Sequence, residues 1–334
     1  MHVGVNLNNR EALIAPDYGV PELLDLAARA EELGLDSVWV GDSLLSKPRY
    51  EPLALLAALS QRTTSVRLGT ACLVTTLRNP VQLAQTWATL DVLSRGRMIL
   101  GACSGNIVEE GVKEEFAVLG IEPSDRMAVF EEGLRILRSL LETGRVTYHG
   151  THFQLDDAAF STGMEPEPLL PVQSSPPLWI VANPSIGAST ARGHSRAARR
   201  VAELGDGWMT CCRASHPEEV SAFVDELRAV RTDDGGAPFA VAYQVTIALG
   251  ATTNDALVEQ RGYIDAYYPG FSDAVQLADW GPAGTAAEVV AWIRDFHEAG
   301  VDTFICRFAS LDQRGQLERF ARDVLPAVRI AAGL

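Results

Sequence analysis

The sequence predicts an α/β protein of the (β/α)8 TIM-barrel class carrying insertions, and three observations carry that expectation. Short β-branched runs alternate with amphipathic helical stretches from the first residues onward. Eight such runs can be counted. Each is a near-continuous apolar run, as expected of parallel strands covered by helices on both faces. Eight serial βα units favour a closed barrel over an open doubly wound sheet. The chain has 334 residues where a plain barrel needs about 250, so about 80 are left for insertions.

Val3–Leu7 reads as the first strand. Residues 21–33 form a helix: Pro21 lies in the first turn, Leu23, Leu24, Ala27 and Ala30 recur at helical spacing, and Gly34 follows the end. Strands at 36–41, 66–71 and 97–102 alternate with helices at 52–60 and 80–93. A long helix over 124–142 opens on Ser124 and Asp125 as cap residues. The series continues with a strand at 178–181, a helix at 194–204 and a strand at 207–210. It closes with 217–231, 239–249, 285–299, 303–307 and 312–330. Two stretches do not fit the repeat. Residues 144–177 read as a hairpin around His149-Gly150-Thr151 followed by a Pro-rich loop, and 263–282 are rich in aromatics, Gly and Asp. The expectation is one barrel domain over 1–334 with insertions near 144–177 and 263–282, the first a candidate lid.

Composition removes several function classes. Lys+Arg number 28 and Asp+Glu 43, a net −15, which disfavours a nucleic-acid surface. No apolar run reaches the roughly 18 residues of a membrane span, and the first residues lack a signal-peptide pattern, so the expected location is the cytoplasm. Five scattered cysteines imply reduced thiols rather than a disulfide framework. Six histidines show no HExxH or paired spacing, so no metal is expected. No Gly-x-Ser-x-Gly elbow or Walker loop occurs, which leaves hydrolase and triphosphatase readings without their usual signals.

Barrel active sites sit at the C-terminal ends of the strands. Those positions here are Asn6, Asn8, Asp42, Ser43, Ala71 to Thr76, Cys103 to Asn106, Asn183 to Ser185, Thr210 to Arg213, and Arg307. Small and polar residues short of acids and bases suit a reaction whose hard chemistry belongs to a cofactor. Gly193-His194-Ser195 opens a helix, so its N–H groups either bind a phosphate or make an ordinary cap beside an arginine-rich face.

The ordered segments Ala30-Glu31-Glu32-Leu33-Gly34-Leu35-Asp36-Ser37-Val38-Trp39-Val40-Gly41-Asp42, Leu68-Gly69-Thr70, Arg78-Asn79-Pro80, residues 88–97 (ATLDVLSRGR) and Gly205-Asp206-Gly207-Trp208 carry a resemblance. The chain resembles the bacterial-luciferase-like superfamily, which holds flavin monooxygenases and oxidoreductases using FMN or the deazaflavin coenzyme F420. The likeness runs from residue 3 to about residue 310. It implies the barrel and a flavin-type cofactor, and says little of the substrate.

Residue by residue, the resemblance implies a non-prolyl cis peptide between Ala71 and Cys72 behind the cofactor ring. It also implies cofactor contacts from Asp42, Cys103, Ser104 and Gly105, and a phosphate held by Gly193, His194 and Ser195, with Arg192 and Arg196 in support. For Cys103 the alternative is a small buried residue, and for Asp42 a loop-structuring one. Ser104 stands where luciferase has an arginine. Asn106 stands where a sugar-phosphate dehydrogenase of the deazaflavin branch has its glutamate acid, and Ser43 where both relatives have a histidine. The catalytic acid and base are therefore unassigned, with Asp42, Cys103 and Asn106 as candidates. Cys211-Cys212 reads as a strand end rather than a redox pair. Trp208, Trp280, Tyr263, Tyr267, Tyr268 and Phe271 either wall an apolar pocket or simply pack.

The resulting expectation is a two-component monooxygenase using dioxygen and reduced FMN from a separate flavin reductase, acting on a small organic substrate. The alternatives are an F420-dependent dehydrogenase or reductase that transfers hydride without oxygen, and a non-catalytic flavin-binding relative. A homodimer is expected by analogy.

Overall fold

The computed structural model describes residues 1–10, 19–106, 110–161, 168–183, 191–211, 216–231, 238–267 and 280–331, with side chains 110 and 191–194 set aside. In chain order the elements begin with β1 (His2–Leu7), α1 (Val20–Glu32), β2 (Ser37–Val40), α2 (Pro52–Arg62), β3 (Arg67–Thr70) and β4 (Leu73–Val74). Next come α3 (Pro80–Ser94), β5 (Met98–Cys103), α4 (Glu110–Val118), α5 (Arg126–Thr143), β6 (Arg145–His149) and β7 (Gln154–Ala159). Then follow β8 (Leu178–Val181), α6 (Ala191–Leu204), β9 (Gly207–Thr210), α7 (Pro217–Val230), β10 (Ala240–Leu249) and α8 (Thr253–Tyr267). The series ends with β11 (Ala283–Gly284), α9 (Ala286–Glu298), β12 (Thr303–Phe308), α10 (Gln313–Asp323) and α11 (Leu325–Ala331).

Parallel pairing runs β1–β2–β3–β5–β8–β9–β10–β12 and returns to β1, so eight strands close a barrel. The short β4 continues β3 beyond a break and pairs with β5. Alternate residues of each strand face opposite sides. Outward ones such as Val3, Val5, Val38, Leu68 and Leu100 join the helices in the main core. Inward ones, Trp39, Ile99, Trp179, Met209, Ala242 and Ile305, fill the barrel. Two inward glycines make room for Trp39: a Cβ on Gly69 would lie 2.3 Å from its ring and one on Gly4 2.8 Å from Nε1.

The helix starts follow their local sequence. Asn79 caps α3 by accepting from Val81 and Gln82 N–H, with Pro80 at its first position. Thr285 and Glu288 form a capping box at α9. At the N-terminal end of the barrel, Arg97 is buried and donates to the carbonyls of Ser60, Thr63, Val66 and Ser94 at 2.7–3.0 Å. Asp91, fully buried, accepts from Gln173 N at 2.9 Å and Gln173 Nε2 at 2.7 Å.

Departures from the expected elements have physical causes. The predicted helix over 312–330 breaks at Val324, because Pro326 has no N–H to give the preceding turn and its ring clashes with the carbonyl four residues back. Helices α4 and α8 lie where none is predicted. Among the described side chains of α4 only Glu115 and Phe116 are buried, so no apolar stripe announces it. Helix α8 carries Gly262 and runs into the aromatic stretch. The hairpin expected after residue 144 is β6–β7, antiparallel with a register shift between Val146 and Tyr148.

Candidate active site

The floor of the barrel mouth is the Trp39–Trp179 pair, with ring centroids 5.2 Å apart, flanked by Ile99, Met209 and Ile305. Stepping two or four residues on along each strand gives the inward-facing rim. It comprises Asn6 on β1, Ala71 after β3, Cys103 on β5, Cys211 after β9, Gln244 and Thr246 on β10, and Arg307 on β12. The rim on the β3–β5 side is small and uncharged. On the β12–β1–β2 side it is cationic.

On the first side the Ala71–Cys72 peptide is cis. The Cys72 thiol is hydrogen-bonded to Cys103, and this bond, burial, and the nearby Cys103, Cys211 and Asp42 push its pKa well up, so it stays protonated. Asn183 Nδ2 lies 3.4 Å from Cys211 Sγ. Behind this wall Asp42 has both oxygens engaged: Oδ2 accepts from Val74 N at 2.9 Å and Arg78 Nη1 at 2.6 Å, and Oδ1 from Arg78 Nη2 at 3.0 Å. Of its two expected roles, loop structure is the one these bonds serve. Thr76 Oγ1 donates to Ser104 O at 3.2 Å, fixing the start of the Ser104-Gly105-Asn106 loop. Gly105 has φ of +78°, and a Cβ there would meet Phe116 at 2.9 Å.

Glu115 is a site residue the sequence did not disclose. It is 2% exposed, and its Oε1 accepts from Leu45 N at 2.6 Å, Ser46 N at 2.7 Å and Ser43 Oγ at 3.1 Å. A carboxylate from α4 therefore holds the loop after β2 that carries Ser43. The short helix supplying it has no periodic signal.

Arg10 and Arg49 were also missed. Asn9, fully buried, ties their loops together: its Nδ2 donates to Gly41 O at 2.9 Å and Tyr50 O at 3.0 Å, and its Oδ1 accepts from Arg49 Nη1 at 3.3 Å. The guanidinium carbons of Arg10, Arg49 and Arg307 lie 4.8, 5.9 and 5.5 Å from the centroid of Tyr267. No two of them are more than about 11 Å apart, a separation at which like charges repel by about 1.5 kcal/mol per pair at an effective dielectric of about 20. Arg49 Nη2 donates to Tyr267 Oη at 2.7 Å, and Arg307 donates to Thr246 Oγ1 at 2.9 and 3.2 Å. Tyr267 stacks on Tyr263, and Trp280 lies 5.9 Å from Arg307. Trp208 instead packs on Phe223 outside the barrel.

Helix α6 starts at Ala191, three residues earlier than expected. Gly193 thereby falls in the first turn, whose N–H groups have no intrahelical partner, while His194 and Ser195 follow it, Ser195 partly buried. The side chains of Arg192, Gly193 and His194 lie outside the described residues, as do Ser185, Cys212, Arg213, Tyr268 and Phe271. Arg200 is paired with Glu131 at 2.6 Å, while Arg196 is exposed. Among the described residues no group of three or more His, Cys, Asp or Glu is arranged to hold a metal ion, and no helix is long and apolar enough to cross a membrane.

These residues fit a planar, phosphorylated cofactor. Small neutral side chains line the β3–β5 side above the Trp39–Trp179 floor, and α6 offers N–H donors at the rim. Asn6 Oδ1, on a side chain 4% exposed, has no hydrogen-bond partner and would be satisfied by a ring N–H.

The model of the luciferase-like monooxygenase family matches residues 1–303. The chain belongs to that family. As a luciferase-like protein it is an oxidoreductase. It is 30% identical to an F420-dependent glucose-6-phosphate dehydrogenase from Amycolatopsis mediterranei (strain U-32), over 94% of this chain and 96% of the relative. An enzyme of the same name from Intrasporangium calvum is 27% identical over 94% and 97%. Among solved structures, an F420-dependent secondary alcohol dehydrogenase with an F420–acetone adduct superposes with a TM-score of 0.75, at 23% identity over 98% of this chain and 99% of that one. Monooxygenase RslO1 from Streptomyces bottropensis gives 0.76 at 22% identity over 98% and 99%. At these identities the structural likeness shows the fold alone.

The sequence relatives correct the first functional expectation. A monooxygenase using reduced FMN is overturned by full-length relatives named for coenzyme F420. The reason is chemical: the segments that carry the resemblance build the barrel and its strand ends, and do not distinguish a flavin from a deazaflavin.

Proposed function

We propose that this luciferase-like protein is a coenzyme F420-dependent dehydrogenase that transfers hydride between the cofactor and a carbinol or carbonyl carbon of a small organic substrate. The observation that carries the reading is the end-to-end likeness to F420-dependent glucose-6-phosphate dehydrogenases, covering 94% of the chain. The neutral β3–β5 rim and the N–H groups of α6 support it.

When bound, the deazaflavin ring accepts or gives a hydride, and the protein positions the partner carbon. Ala71, Cys72 and Cys103 form a wall of small side chains in which the Cys72 thiol stays protonated. The N–H groups at the start of α6 hold the cofactor phosphate. Glu115 fixes the Ser43–Ser46 loop at the rim. Ser43 and Asn106 stand where the family resemblance implies a histidine and a glutamate in the sugar-phosphate enzymes. Proton transfer therefore differs from theirs, and the proposed substrate class is wider than glucose 6-phosphate.

Titration of the purified protein with coenzyme F420 and with FMN tests this reading. Micromolar F420 binding with FMN at least tenfold weaker, followed by alcohol-dependent bleaching of oxidised F420, is the expected result. Preferential FMN binding would sink it.

A further inference from the structure

We propose that Arg10, Arg49 and Arg307 form an anion subsite at the barrel mouth that takes the carboxylate or phosphate of the substrate. The inference deepens the dehydrogenase reading and rests on it for the identity of the reaction.

Three guanidinium groups from the loop after β1, the loop after β2 and strand β12 meet at one ring, that of Tyr267, at 4.8, 5.9 and 5.5 Å. These strands are neighbours in the closed barrel, so closure itself gathers the charges. Arginine stays protonated at any working pH, which makes the cluster permanently cationic. Contact with an aromatic face engages the guanidinium plane and leaves the in-plane N–H donors to other acceptors. In Arg10 one of them, on Nη1, is shut off from solvent with no hydrogen-bond partner. Donors in a planar fork match the oxygens of a carboxylate or phosphate.

Position separates this cluster from the cofactor phosphate. Helix α6 follows β8, whereas Arg307 lies on β12, three strands further round the barrel, and Arg10 and Arg49 lie beyond it. Asn6 Oδ1, unpartnered on the inner face of β1, lies on the same β12–β1–β2 side of the barrel as the arginines and would accept a substrate hydroxyl or a ring N–H. A substrate anchored by its anion at the arginines would extend its carbinol carbon toward the cofactor ring above the Trp39–Trp179 floor.

The test uses the whole protein saturated with F420 and two probes, sulfate for a phosphate group and acetate for a carboxylate, titrated by calorimetry against wild type, R10Q, R307Q and the charge-keeping R10K. Saturable binding of one probe, weakened at least tenfold in R10Q and R307Q and less in R10K, with F420 affinity within twofold of wild type throughout, is expected. A preference for sulfate assigns a phosphorylated substrate, and one for acetate a carboxylic acid. Probe binding unchanged in both glutamine variants, or no saturable binding by wild type, overturns the proposal. A parallel loss of F420 affinity also overturns it, by assigning the arginines to the cofactor. If wild type binds no F420 yet binds a probe through these arginines, the dehydrogenase reading fails and the anion subsite stands.

Discussion

Arg78 grips Asp42 through both terminal nitrogens, at 2.6 and 3.0 Å, while Asp42 also receives the N–H of Val74. The pair joins the end of β2 to the segment after the cis Ala71–Cys72 bond, with the aspartate side chain 3% exposed and the arginine 19%. Removing one partner strands a buried charge. Arg78→Ala is expected to cost about 3–5 kcal/mol in urea unfolding, and Arg78→Lys, which keeps charge but loses the fork, about 1–2 kcal/mol. F420 affinity should fall in both, because the wall holding Cys72 loosens.

Glu115→Ala leaves the N–H groups of Leu45 and Ser46 without their acceptor. The expected cost is about 2–3 kcal/mol. Because Leu44 and Leu45 are exposed, limited proteolysis should cut within this loop faster in the variant. Wild-type cleavage rates would show that the carboxylate does not hold the loop.

Glu31 gives a pH signature. Burial pushes its pKa up, but hydrogen bonds from Ser65, Val66 and Thr64 outweigh this and bring it down from 4.5 to about 2. A carboxylate with a depressed folded-state pKa contributes stability that is present above about pH 4.5 and lost as pH falls through about 2. Allowing for solvent screening, Glu31→Gln should cost about 1–2 kcal/mol at pH 7. The gap to wild type should narrow from pH 4.5 downward and vanish near pH 2, as read by denaturation midpoints at each pH.

Arg97→Met removes donors from four backbone carbonyls at the N-terminal end of the barrel. A loss of at least about 3 kcal/mol is expected, with F420 affinity unchanged in protein that remains folded, since this end lies opposite the mouth. Weakened F420 binding at full folding would contradict the separation of stability and site between the two ends.

That separation explains how much the sequence disclosed. The segment 88–97 supported the family resemblance, and Asp91 and Arg97 within it turn out to tie the barrel together far from the chemistry. Motifs of this kind report a fold because their partners are close in sequence or fixed by the barrel. Asp42 was legible as a site residue, but its pairing with Arg78 was not, because the two are 36 positions apart in the chain. Glu115 sits in a helix without an apolar stripe and reaches a loop 70 residues earlier, so no local pattern marks it.

The sequence by itself determined the eight strands, their order and the family, through apolar runs and helix caps that act over a few residues. Only the tertiary structure decided which charges meet. Arg10 and Arg307 are nearly a chain length apart, yet closure between β12 and β1 brings both to the ring of Tyr267. Patterning sets which face of a strand is buried. Which side chains share the rim depends on register and closure, and those are settled by packing across the whole barrel.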